Sequence, residues 1–232
     1  MWLRQRSGKA PLERDPLTPA SQLLPTDWDG SYESAGDLFE RLCHYMLVDP
    51  ARVKLGYYSG DIPLDGMGIP YEHSYAGPAG LFSQGRDGRM QIAVDDAGLN
   101  HPPTLVATMC HELAHVHLHA AKQVPAESEE EEECLTDLLT VYMGAGIFTA
   151  NAAFRFDKWG EASTGHGWRA SRQGYLSETL LAYSLACYGW LRGETSPAWG
   201  KHLQGNVLYY FEDSVHFLRE TRDTQLPAGE RH

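Results

Sequence analysis

His111 and His115 flank Glu112 in the run His111-Glu112-Leu113-Ala114-His115. On an α-helix, residues four apart share one face, one turn above the other, so both imidazoles can aim a nitrogen at one point in space. Glu112 sits beside the first of them, where a carboxylate reaches a water on an ion rather than the ion itself, which is the place of a general base. Tetrahedral zinc in a hydrolase takes three protein ligands and keeps one position for water. Glu133, downstream in the chain, answers the need for a third ligand. Asp137, on the same helical face as Glu133, offers the kind of carboxylate to which a ligating imidazole donates its other N–H. The expected metal set is therefore His111, His115 and Glu133, with Asp137 behind it and Zn2+ as cofactor.

These side chains need a helix to carry them. Pro103 lies near its start, and apolar residues recur at helical spacing from Leu105 through Leu113, Val116 and Leu118. His119 continues the stripe of His111 and His115, but it stands about 12 Å along the axis from His111, too far to share one ion. His117 points elsewhere on the helix and is given no role. Glu133 ends the acidic run 127–133, most of which reads as a solvated segment favoured by the helix dipole. That reading holds for Glu127 and for Glu129 to Glu131. Glu133 is preferred as ligand because Asp137 and an apolar helix with Leu135, Leu138, Leu139, Val141 and Tyr142 follow it. Glu132 is the fallback, and Cys134 a lesser rival.

Over 105–151 the chain resembles the gluzincin metallopeptidases, the thermolysin type. Their third ligand is a Glu on a helix after the H-E-x-x-H helix, with an Asp four residues later. His111-Glu112-Leu113-Ala114-His115 and Glu133-Cys134-Leu135-Thr136-Asp137 stand in the matching places. The resemblance implies a zinc peptidase acting on a peptide or protein substrate. Metzincins reach a third His only after a Gly turn, and no Gly follows His115 before Pro125. Peptide deformylases place their Cys ahead of the motif, unlike Cys134.

With 232 residues and 42% hydrophobic content, the chain can form one sizeable core. The expectation is a loosely ordered tail over 1–27 and a single zincin-like domain over 28–232. No signal-peptide-like apolar stretch follows the basic start, and none elsewhere is long enough for a bilayer span. Cys43, Cys110, Cys134 and Cys187 show no paired spacing, which suits free thiols in a reducing compartment. A cytoplasmic protein without membrane contact is expected. The net charge of −12 argues against nucleic acid, whose phosphates call for Lys and Arg clusters. Oligomeric state is left open.

The fold class expected is α+β: a small, mainly antiparallel sheet packed on the active-site helix, followed by a mostly helical C-terminal part. A first helix is expected over 34–47, stopped by Asp49-Pro50. Strand-like pieces follow over 53–58, 75–82 and 90–94, separated by Gly and Pro. Segment 88–95 could be an exposed edge that pairs with an extended peptide, or an ordinary inner strand. Small residues over 144–151 permit close helix packing. Later helices are expected over 177–191, capped by Ser177, and over 207–221, with Leu208, Phe211, Val215 and Leu218 on one side.

A hydrolase also needs a donor for the oxyanion that develops on the attacked carbonyl. His166 and Tyr175 lead the candidates in the Gly- and Trp-rich connector, ahead of Arg172. The mechanism expected is general-base catalysis: Glu112 takes a proton from a metal-acidified water and later returns it to the leaving amine. Two other classes compete with it. One is a zincin-like regulator or interaction domain with restricted or no proteolysis. The other is a metal-free helical protein with an acidic surface.

Overall fold

The computed structural model describes residues 2–25, 27–59, 80–85, 88–120, 124–153, 176–222 and 224–229. It is an α+β protein with a three-stranded sheet. The chain divides into two compact units: 20–123, and Met1–Pro19 together with Val124–His232.

The unit over 20–123 holds the sheet. Its first helix, Tyr32–Tyr45, is N-capped by Ser31, which accepts from Ser34 N, and it buries Leu38, Phe39, Leu42 and Cys43. The helix ends two residues earlier than expected. Leu47 takes a left-handed backbone with φ 58° and reverses the chain ahead of Pro50. The strands are β1 (Val53–Tyr58), β2 (Gly80–Gln84) and β3 (Met90–Asp95). Positions 75–79 of the second expected strand lie outside the described residues.

Sheet order is β1-β3-β2. β2 runs antiparallel to β3 across a short turn, with Gly80 opposite Val94 and Phe82 opposite Ile92. β1 runs parallel to β3, with Leu55 beside Ile92 and Tyr58 beside Asp95. The sheet is thus mixed rather than mainly antiparallel, because the neighbour of β3 on that side arrives by a crossover and not by a hairpin. It follows that β3 is the central strand. Its continuous buried run Ile92-Ala93-Val94 is what a strand covered on both faces requires. The edge-pairing idea for 88–95 is therefore overturned in favour of the inner strand. The helix Pro102–His119 packs on β2 and β3.

The other unit is helical. Residues expected as a loose tail form two short helices, Trp2–Ser7 and Ala10–Glu13. They are held by bonds that leave no sequence period. Leu17 is 1% exposed and donates its N–H to Gly144 O, while the Tyr142 hydroxyl donates to Gly8 O at 2.6 Å. Arg14 Nη2 donates to Met143 O, and Arg192 Nη1 donates to Leu12 O.

The remaining helices are Glu129–Tyr142, 146–153, Glu178–Leu191 and Gly205–Thr221. Along the chain we number the helices α1 (Trp2–Ser7), α2 (Ala10–Glu13), α3 (Tyr32–Tyr45), α4 (Pro102–His119), α5 (Glu129–Tyr142), α6 (146–153), α7 (Glu178–Leu191) and α8 (Gly205–Thr221). Ser177 caps α7 as its sequence predicts, accepting from Leu180 N. Val141, Ile147, Leu185, Trp199 and Phe211 belong to the core of this unit. A Cβ on Gly146 would stand 2.7 Å from Val141 Cγ2, so a glycine is what lets α6 approach the end of α5 so closely.

Candidate metal centre

α4 begins on Pro102 at its first turn, where a missing N–H costs nothing. Apolar side chains line nearly its whole circumference, so the helix is buried as a body rather than along one stripe. That burial carries the polar residues inward: His111 is 8% exposed, Glu112 5% and His115 9%.

The two imidazoles meet edge to face, at 4.9 Å between centroids and 79° between planes. Their Nε2 atoms stand 3.2 Å apart. Two nitrogens each about 2.0–2.1 Å from one tetrahedral ion stand about 3.3 Å apart, so the pair is already spaced for a shared cation. Phe82 on β2 lies nearly parallel to the His115 ring at 5.8 Å and meets His119 edge-on at 5.5 Å. His119 thus makes a ring contact with Phe82, and His117 Nε2 bonds Met46 O at the end of α3. Neither joins the metal pair.

Glu112 is confined by a glycine. A Cβ on Gly80, at the start of β2, would fall 2.6 Å from Glu112 Oε1 and 2.7 Å from Thr108 Cγ2. Only a residue without a side chain lets the strand lie this close to the carboxylate. Tyr58, at the end of β1, has a buried hydroxyl with no hydrogen-bond partner among the described residues. Burial, and then the Asp95 and Glu112 carboxylates, push its pKa upward.

α5 starts at Ser128, whose hydroxyl accepts from Glu131 N, while the Glu131 carboxylate accepts from Glu127 N. This is a variant of the capping box, and it explains much of the acidic run as helix initiation. Glu127 and Glu129 to Glu131 are exposed, as expected; Glu133 is half-buried. Asp137 is 2% exposed, and one of its oxygens accepts from Leu176 N at 3.0 Å. Burial, and then the Asp137 carboxylate, push the pKa of the Cys134 thiol upward.

The ligand atoms of His111, His115 and Glu133 all lie within 4.8 Å of one another, a group that could hold a metal ion. Among the described residues, Glu132, Cys134 and His119 do not belong to that group. The donor set suits a borderline cation: two imidazole nitrogens and one carboxylate, with no thiolate. His166, Arg172 and Tyr175, the oxyanion candidates, lie outside the described residues.

Gly80 and Phe82 were not singled out from the sequence. Their signal was a glycine opening a strand-like run, which marks a close backbone approach without saying to what. All four cysteines are free. No helix among the described residues is long and apolar enough to cross a membrane. Neither a family model, nor a curated protein, nor a solved structure matches the chain.

Proposed function

We propose that this chain is a zinc-dependent hydrolase of peptide bonds, with His111, His115 and Glu133 as ligands and Glu112 as general base. The observation that carries the reading is the 3.2 Å approach of two buried Nε2 atoms, with Glu133 in the same metal-capable group. A bound zinc ion would acidify water and polarise the carbonyl under attack. Glu112 then does the proton work: it takes the proton of the attacking water on its carboxylate and returns it to the departing amine. Its burial beside Gly80 excludes competing solvent and holds the carboxylate at one height along α4. Asp137 fixes the orientation of a ligand imidazole in this reading, as the resemblance to gluzincins implies. The substrate is a peptide or protein, and nucleic acid and membrane surfaces are not. Four free thiols suit a cytoplasmic setting.

Metal analysis of the purified protein tests the centre, with about one zinc per chain expected. Digestion of a peptide mixture, with and without chelator, tests the activity. Glu112→Gln should keep the zinc and lose hydrolysis, whereas His115→Ala should lose the zinc. Zinc-loaded protein that cleaves nothing in that mixture would favour a regulatory domain; unchanged hydrolysis by Glu112→Gln would remove Glu112 from its role.

A further inference from the structure

The helical unit holds a partly open cavity of about 350 Å³ that has no part in the metal centre. Its wall includes Leu135 and Leu138 of α5, Cys187 and Leu191 of α7, and Tyr142, with α1 at its border. Among the described residues that line it, Arg4 is the one charged side chain. Although the chain carries a net charge of −12, no carboxylate of a described residue lines this space.

Arg4 is half-buried, and its side chain makes no hydrogen bond or ion pair with any described residue; its carbonyl alone is used, by Gly8 N. The neighbouring Tyr142 hydroxyl is already committed to Gly8 O. A guanidinium is always charged and presents five donors, and removing it from bulk water costs free energy unless an anion meets it. Mostly apolar walls of this size with a few polar groups and one charge among them are the pattern of a small-molecule site.

We propose that this cavity binds a single-chain aliphatic carboxylate, its hydrocarbon lying along α5 and α7 and its carboxylate paired with Arg4. Apolar walls supply affinity in proportion to the chain length they cover. Arg4 supplies selection for the anionic head through a charge-assisted, two-pronged bond. The site draws on no metal ligand, so it stands whether or not the chain is a hydrolase.

Isothermal titration of the full chain with dodecanoate, below its micelle concentration, tests the proposal. Dodecanol and dodecyltrimethylammonium serve as neutral and cationic comparators. Dodecanoate should bind with the highest affinity of the three. Arg4→Gln should weaken it by about tenfold, as the loss of one charged hydrogen-bond pair implies, and leave dodecanol unchanged. Arg4→Lys should restore part of the loss. Leu138→Trp, which fills the space, should weaken both dodecanoate and dodecanol; Leu135→Trp replaces it if that variant does not fold. The proposal is overturned if dodecanoate does not bind, if either comparator binds as tightly, if Arg4→Gln leaves the carboxylate's affinity intact, or if filling the cavity changes nothing.

Discussion

Gly80 faces the Glu112 carboxylate at a distance that no side chain can share: its added Cβ would stand 2.6 Å from Oε1 and 2.9 Å from Cγ of the same residue. The strand position and the proposed base are therefore one device. Gly80→Ala should push the Glu112 side chain aside, at an overpacking cost of about 1–3 kcal/mol in stability. Hydrolysis should fall by roughly tenfold or more, because a base must lie within hydrogen-bond reach of its proton. Zinc content should stay at wild type. Paired measurements of kcat and metal stoichiometry check this, and an unaltered kcat would show that the carboxylate has room to spare.

Phe82 lies over His115 and edge-on to His119, and so limits how the ligand ring can turn. Phe82→Ala should lower zinc affinity about tenfold, the scale on which outer partners tune a ligand. The aromatic contact itself is worth about 0.5–1.5 kcal/mol. Competition against a chromophoric chelator reads the affinity, and chemical denaturation of the metal-free protein reads the stability. Equal zinc affinity in mutant and wild type would remove Phe82 from the centre.

Asp137 separates two roles that its burial makes easy to confuse. The Leu176 N–H needs its oxygen, and Asp137→Ala leaves that donor unsatisfied at a cost of about 1–3 kcal/mol. Asp137→Asn keeps an oxygen for Leu176 and removes the charge. If Asp137 also steadies a ligand imidazole, the Asn variant should fold nearly as well as wild type yet bind zinc about tenfold more weakly. Wild-type zinc affinity in the Asn variant would confine Asp137 to the Leu176 contact.

Arg192 ties down the first residues of the chain. It donates to Leu12 O and Arg14 O and pairs with Glu194 at 2.8 Å, while Glu194 also accepts from Trp199 Nε1. Arg192→Ala should cost about 1.5–3 kcal/mol, the range for hydrogen bonds made by a charged donor. Limited proteolysis should then cut first within residues 2–17. Resistance equal to wild type would mean that Leu17 and the Tyr142 bond to Gly8 hold the segment without help.

The helices were legible because each wrote its own local rule: Pro near the start of α4, Ser177 as a cap, the apolar stripe of α8. The His111–His115 pair was legible for the same reason, since four-residue spacing within a helix fixes a shared face, whereas Glu133 came from the need for a third ligand, from Asp137 four residues on and from the resemblance. What the sequence did not carry is non-local. Strand direction is absent from alternation, so β1 beside β3 could not be read as parallel from Val53–Tyr58 alone. Residues 2–17 lack a period because side chains over a hundred residues away, Tyr142 and Arg192, hold their carbonyls. Gly80 against Glu112 is likewise a contact between a strand and a helix that no local pattern announces.

The helical unit is assembled from two stretches with another unit's worth of chain between them. Leu12 O and the Arg192 guanidinium that grips it are 180 positions apart. On the ribosome, the opening segment must therefore stay unmoored while everything as far as α7 emerges, and closing so long a loop slows the final step of folding more than it weakens the finished protein. Helices that emerge later decide when these earlier ones come to rest.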